Sequence, residues 1–452
     1  MIPKARRLWL GAALLLMVWP GAASANLLQS THFRLDPNVA DTFGGTGSSA
    51  SYKLTDAGGE AVVGSGASQS YKLTQGYVAQ LAHSLQLSVL PTGVYASWPL
   101  DTGIGTQAYD VSTTGDNGTL QGAPAWTTGK LGQGIVLDGA SQYMSTSTTQ
   151  TSPNTFTLEL WFKTTTAQGG RLIGLGDALT GASTNRDRQI YMTNGGQLVF
   201  GVNSGSIKTI SSTSAYNDGN WHHVAATCGT AGLTLAVDGV RVGTDATTTA
   251  GGSYTGSWRL GYDNLIGWPS APTSSFFAGT LDEARVYSRQ LADADIAADY
   301  AAGVAGLRSA VVLPSVTPGS SSTGGVDAVV WTDAGGYDLY VQAPKLLTHT
   351  DGTTTIPMLA AGIAAPTAWT EGSTKGLGFT VTNGAQVEAK WGIGPSYDYA
   401  GLSSAATVYH SRAGFTGGAA EKTSLQYRVD TLPQQKQGSY STTVVYTATL
   451  RP

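Results

Sequence analysis

A single cysteine, Cys228, stands in a chain of 452 residues. No disulfide can therefore form within the chain, and stability must come from burial rather than covalent cross-links. Charge is scarce as well: Asp, Glu, Lys and Arg make up 12% of the residues, against roughly 25% in an ordinary globular protein. The net charge of −4 is weak for this length and lacks the basic excess that nucleic acid or an anionic membrane would call for. There is no Gly-x-Ser-x-Gly elbow and no His-Glu-x-x-His helix. The six histidines are scattered except for His222-His223. Neighbours on a strand point to opposite faces, so these two cannot easily ligate one metal, and one of them is expected to be a packed framework residue.

Long apolar runs are equally lacking. The one candidate is Leu8 to Trp19, preceded by Lys4, Arg6 and Arg7 and followed by Ala23-Ser24-Ala25. It is shorter than the ~20 residues that span a bilayer. Basic region, short apolar run and small-residue site together read as a secretory signal peptide over residues 1–25. Secretion is thus expected, and no membrane span in the mature chain. The last residues carry no sorting motif or hydrophobic tail, so attachment to a cell is expected to be non-covalent or through a partner.

What is abundant is glycine, 60 residues, nearly double the usual ~7%. With period-2 patterning throughout, this predicts an all-β protein with many turns. Residues 26–90 repeat an aromatic-basic-Leu pattern at Phe33-Arg34-Leu35, Tyr52-Lys53-Leu54 and Tyr71-Lys72-Leu73, evenly spaced and separated by Gly-rich turns. They read either as stacked β units or as a semi-ordered spacer. Residues 91–303 alternate strand-like runs with turns, as in a sandwich or jelly roll. One helix is expected, Ala292 to Ala302, stopped by Gly303. The Pro/Gly/Ser-rich stretch 304–325 reads as an exposed linker. Residues 326–452 resume β patterning as a second, small sandwich, in which Tyr440, Thr442, Val444, Tyr446 and Ala448 share one face.

The central region resembles the LamG-like (concanavalin A-like lectin/glucanase) jelly-roll family. The resemblance is carried by Trp98-Pro99-Leu100-Asp101, Asp110 with Asn117-Gly118-Thr119, Val136-Leu137-Asp138-Gly139, Phe156 to Lys163, Trp221-His222-His223-Val224, Val237-Asp238-Gly239 and Phe277 to Tyr287, in this order. It implies two facing antiparallel sheets, a binding or adhesion role, and in many members calcium or sugar as ligand. The C-terminal region is more loosely similar to the WxL-type β-sandwich domains of bacterial wall-associated proteins, through Ala328 to Trp331, Gly336 to Leu339 and Gln437 to Val444.

A concanavalin-type fold can also be a glucanase, which in the retaining case needs two carboxylates ~5–5.5 Å apart. The Glu-x-Asp-x-x-Glu strand motif that would supply them is absent. Glu159 sits alone in its strand and reads as a solvent-facing partner for Lys163 or Arg171. No catalysis is expected. Calcium favours hard oxygen ligands from loops, so Asp110 and Asp116, beside Asn117-Gly118, are candidate ligands. So are Asp101, Asp282 and Glu283, on what should be neighbouring first and last strands; each Asp reads equally as a turn former. For a sugar, Trp268 in the turn-rich Gly267-Trp268-Pro269-Ser270, with Tyr262, Asp263 and Asn264, offers an aromatic plane and polar groups; Trp268 reads alternatively as a cap on the sandwich edge. Cys228 continues the period-2 apolar pattern and is expected to be buried. The function expected is a secreted or cell-surface recognition or adhesion protein with a glycan or envelope partner. A structural envelope component with the jelly roll as spacer, or a glycan hydrolase, are the rivals.

Overall fold

The computed structural model describes residues 85–332, 334–414, 416 and 419–451, together with the strands that lie between 29 and 75. The proposed signal peptide lies outside the described residues. In the N-terminal unit each repeat forms a two-stranded antiparallel hairpin: Gln29–Ser30 with Phe33–Arg34, Gly45–Ser49 with Tyr52–Asp56, and Gly64–Ser68 with Tyr71–Gln75. The aromatic-basic pair opens the second strand in every copy.

In the second unit the central region is a jelly roll of two antiparallel sheets. One runs Ile207–Ala215, Gln197–Asn203, Arg186–Met192, Gly170–Gly176, Thr255–Leu260, Tyr143–Thr146, Gly118–Gln121 and Gln107–Ala108. The other runs Ala125–Thr128, Gln133–Asp138, Ala278–Tyr287, Phe156–Lys163, Trp221–Cys228, Leu233–Val237 and Val240–Asp245, with Val94–Trp98 on Ala278–Tyr287. Period 2 explains the core. Phe156, Leu158, Leu160 and Phe162 point between the sheets, where they meet Leu172, Ile173, Trp258, Leu260 and Cys228. Each such side chain contributes about 1.5–3 kcal/mol by leaving water.

The alternate positions of the same strand were expected to be wet. They are not: Glu159 and Trp161 are buried as well. The helix Asp293–Val304 lies over this outer face, and Trp161 stacks on its Tyr300 with ring centroids 5.6 Å apart. Asp293 and Asp295 in the first turn suit the helix dipole. Gly303 is not the stop. It lies inside the helix, where a Cβ would come within 2.4 Å of the Trp161 indole. The chain leaves the helix at Gly306, with φ +77°.

The C-terminal sandwich packs one sheet, Gly376–Asn383, Glu421–Asp430, Ser322–Thr332 and Leu85–Pro91, against another, Thr407–Ala413, Gly336–Gln342 and Val445–Leu450. Val330, Leu339, Phe379, Trp391 and Tyr409 fill the space between. Two boundaries expected from sequence fall elsewhere. Leu85–Pro91 pairs with Ser322–Thr332 throughout, Val89 facing Ala328, so it belongs to this sandwich and not to the repeat segment. The stretch 304–325 is only in part an exposed linker. Val311, Leu313 and Val316 pack against the sandwich core, and Gly324-Gly325, read as breakers, lie within a strand. A Cβ on Gly324 would meet Val311 and Leu313 at 2.8–2.9 Å. The exposed parts are Val304 to Arg308, Pro314-Ser315, Thr317 to Ser320 and Thr323. The jelly roll is therefore an excursion between two adjacent, hydrogen-bonded strands of the sandwich.

Candidate functional site

The first and last strands of the jelly roll do neighbour each other, and they bring Asp101, Asp282 and Glu283 to one place. What they surround is a side chain. Arg308, just past the helix, pairs with Asp101 and with Glu283, and Glu283 also takes Arg285 at 3.1 Å. Asp282 accepts from the Leu131 N–H at 2.9 Å and from the Glu283 N–H. Burial, with the charges of Glu283 and Asp101, pushes its carboxyl up to about 8. Asp101 and Glu283 do not fit a calcium ion, because a guanidinium already supplies the positive charge, and Asp282 is taken up by backbone N–H groups. Asp110 is equally committed: its two oxygens accept from the Ser97, Ser112 and Asp116 N–H groups and from the Ser112 hydroxyl. It is the organiser of its turn. Asp116 is different. It is fully buried; Oδ1 accepts from the Thr148 N–H, while Oδ2 has no hydrogen-bond partner. Burial raises its carboxyl above the ordinary range. Among the described residues no group of three or more His, Cys, Asp or Glu side chains is placed to hold a metal ion.

The four residues expected to face a sugar are spread over different environments. Trp268 is only 4% exposed. It packs with Tyr191, Val199 and Leu265 on the outer face of the first sheet, edge-to-face on Tyr191 at 6.1 Å. The surrounding segment is a loop, as its Gly and Pro imply, but it is strapped down: the Tyr191 hydroxyl donates to the Pro269 carbonyl, and Arg186 donates to the carbonyls of Asn264 and Ile266. Asp263 is fully buried between Arg171 and Arg259. Tyr262, half-buried, stacks on Phe276 at 3.7 Å. Asn264, half-buried, receives a turn bond from the Ile266 N–H. The indole is thus a core residue of the strap, and the aromatic plane expected there is not offered to solvent.

Glu159, expected at the surface, is 1% exposed. It accepts from Arg285 at 2.9 Å and from the Tyr287 hydroxyl at 3.0 Å, and the His223 ring lies 3.6 Å away. Burial opposes its charge, but His223 and Arg285 outweigh it and hold the carboxyl low. Asp299 of the helix joins this network through Tyr287 and the Ala310 N–H. No substrate can touch either carboxylate while the helix is in place. His223 is the packed histidine. His222 is held by Asp238 at 2.7 Å and Asp218 at 3.1 Å.

An open cleft lies on the jelly roll. It has a volume of about 410 Å³ and is walled by Lys163, Thr164, Thr165, Thr166, Gly219 and Ala278 to Thr280. It forms where the central strand ends. Thr164 donates to the Ala278 carbonyl and its own carbonyl accepts from the Gly219 N–H, which fixes both rims. Lys163 and Thr165 are exposed, and Trp221, half-buried, is the cross-strand partner of Lys163. Sequence reading passed over these residues because three threonines after a strand carry no motif. Arg308 was missed for a similar reason, being remote in sequence from the carboxylates it joins.

Residues 138–297 match the family model of the concanavalin A-like lectin/glucanases superfamily, of laminin-G type. The jelly roll is therefore a concanavalin A-like lectin/glucanase domain, set within a larger all-β chain. No curated protein matches the sequence. Among solved structures the chain is similar to domain 4 of AbnA, a GH43 extracellular arabinanase from Geobacillus stearothermophilus, in complex with arabinotriose. Identity is 20%, the match covers 47% of this chain and 99% of that one, and the TM-score is 0.34. It is similar also to a heptameric SAP-like pentraxin from Limulus polyphemus, with 19% identity over 35% and 75% of the two chains and a TM-score of 0.28. The sialidase of Trypanosoma rangeli matches at 15% identity over 48% of this chain but only 34% of its own length, with a TM-score of 0.37.

Proposed function

We propose that this protein is a secreted or cell-surface recognition protein that binds a glycan in the Lys163–Thr166 cleft of its jelly roll and does not hydrolyse it. The observation that carries this reading is the cleft itself. Its volume of about 410 Å³ falls within the ~300–1,000 Å³ typical of ligand sites. Its walls offer threonine hydroxyls, a lysine ammonium and glycine backbone, groups that donate to and accept from sugar hydroxyls without needing a charged ligand. The carboxylates that hydrolysis would need are enclosed: Glu159 is buried beneath the helix, and Asp299, on the helix itself, is buried against Tyr287. The membrane-export pattern at residues 1–25 supports release from the cell, and none of the described helices is long and apolar enough to cross a membrane.

Calcium, expected from the family resemblance, would be held at Asp116. A buried carboxylate oxygen without a partner is resolved either by a proton or by a cation. Asp116 Oδ2 is the oxygen in that position among the five candidate carboxylates. The remaining ligands would be backbone carbonyls and water.

The test is a glycan array on the full chain, run beside Thr165→Tyr, which fills the cleft, and Lys163→Ala. Binding to one glycan class that both variants weaken at least about tenfold, with no release of reducing sugar, supports the reading. Binding unaffected by either variant moves the site elsewhere, and an empty array leaves the jelly roll as a structural spacer.

A further inference from the structure

On the face of the first sheet beneath the strap that carries Trp268, two arginines and one carboxylate are shut away from water. Arg171, Arg259 and Asp263 are each 0% exposed. Asp263 Oδ2 is shared, 2.7 Å from Arg171 and 3.2 Å from Arg259. One negative charge thus serves two positive ones. The neighbouring pair Arg188–Asp187, 3.0 Å apart, is balanced within itself and lends nothing. Tyr254 is the other titratable group against Arg171; its hydroxyl donates to the Leu175 carbonyl, and burial raises it far from ionisation. Arg259 also lies over Tyr143 at 4.9 Å and Tyr262 at 5.3 Å, and those ring faces relieve part of its charge.

The remainder is an imbalance. A lysine in such a place could lose its proton; a guanidinium cannot. Nor are its N–H groups used up. Arg259 donates through Nη1 to the Ala178 carbonyl and the Ser183 hydroxyl, while its Nε and Nη2, and the Nε and Nη2 of Arg171, find no hydrogen-bond partner in the protein. Buried donors left in this way on a charged group are strongly unfavourable.

We propose that Arg171 and Arg259, with the Ser183 hydroxyl, form a buried binding site for a small monovalent inorganic anion, chloride or its heavier halide analogue bromide. The charge deficit is one, and the unpaired donors suit an acceptor without directional demands. Full enclosure behind the strap excludes a sulfated or carboxylated glycan. The anion would complete the charge count under residues 262–276 and hold the strap, with Trp268, against the sheet. The site is independent of the sugar cleft.

The experiment is a thermal titration of the full chain with sodium chloride against sodium gluconate at fixed ionic strength. The expected result is a saturable rise in Tm with chloride, reproduced by bromide, whose anomalous signal in a crystal should fall between Arg171 and Arg259. Arg259→Gln should abolish the difference between the two salts. Asp263→Asn raises the positive excess to two, so it should lower the half-saturating chloride by about tenfold or more, even though the variant is less stable without salt. If Arg259→Gln does not fold, wild type and Asp263→Asn still decide. Equal melting in chloride and gluconate for both, or bromide seen only at other positions, overturns the proposal.

Discussion

Replacing Trp268 by alanine separates a buried strap residue from a sugar platform. The indole is 4% exposed and rests against Tyr191, Val199 and Leu265. Gly201 beneath it has no room for a side chain, since a Cβ there would lie 2.9 Å from the ring. Removing a buried Trp typically costs about 3–5 kcal/mol, from lost transfer energy plus the cavity left behind. The lower half of that range is expected here. The cluster is small and lies outside the main core, and the strap keeps its Asp263 ion pairs and the Tyr191 bond to Pro269, so the site can partly collapse. For a domain of this size ~1 kcal/mol shifts Tm by about 2–4 °C, which gives a fall of roughly 6–16 °C for the jelly-roll transition. A calorimetric melt reads this directly. Glycan binding at the Lys163–Thr166 cleft, measured well below the new Tm, should be unchanged. A melt within about 1 °C of wild type together with lost glycan binding would refute the burial and restore the platform.

Three further outcomes follow from the same geometry. In chelator-stripped protein, millimolar Ca²⁺ should raise Tm, by the equivalent of about 2.7 kcal/mol at a hundred times Kd, and Asp116→Asn should erase that rise; no shift in wild type removes calcium from this protein. Asp282, with its folded carboxyl at about 8 and an ordinary unfolded value near ~3.9, binds a proton in the folded state that the unfolded chain releases. Its contribution is therefore present at low pH and is lost as pH rises towards 8, so Asp282→Asn should gain about 3–4 kcal/mol relative to wild type between pH 5 and pH 8 in denaturant titrations; a constant difference across that range contradicts it. Replacing residues 92–308 by a short Gly/Ser linker should leave a sandwich that melts cooperatively, because Ser309 already reaches the Val89 carbonyl at 3.3 Å and the two flanking strands stay paired; a remainder with no cooperative transition would mean that the sandwich depends on its insert.

Local patterns were legible in the sequence and long-range neighbours were not. The alternation of Phe156, Leu158, Leu160 and Phe162 identified both the strand and its inward face. It could not tell that Glu159 and Trp161 would be roofed by a helix more than a hundred residues later, because alternation normally marks a face left to water. The helix is readable from its spacing, but a glycine near its end suggests a stop, whereas the missing side chain of Gly303 is what admits Trp161. Leu85, Leu87 and Val89 alternate as a strand should, yet their partners are Thr332, Val330 and Ala328, and only the fold brings them together. The convergence of Asp101 with Asp282 and Glu283 follows from strand order; the arginine that joins Asp101 to Glu283 does not. Trp268 lies in a loop, as its Gly and Pro imply, and of its two readings the packed cap agrees with the structure and the exposed platform does not, since turn residues report backbone shape and not what lies beneath.

The inserted position of the jelly roll has a mechanical consequence. Tension between residues 85 and 450 enters and leaves through strands of the sandwich, Leu85–Pro91 and Val445–Leu450. The ladder from Val326–Pro91 to Thr332–Leu85 closes the chain across the base of the insert. While that ladder holds, force is shunted past the jelly roll, and a ligand cleft there keeps its shape under load. The antiparallel register sets Leu85 opposite Thr332, so failure would start at the end remote from the insert and proceed by unzipping. Only after the ladder has opened would the folded insert come into series with the pull, lengthening the chain in a second, separate step.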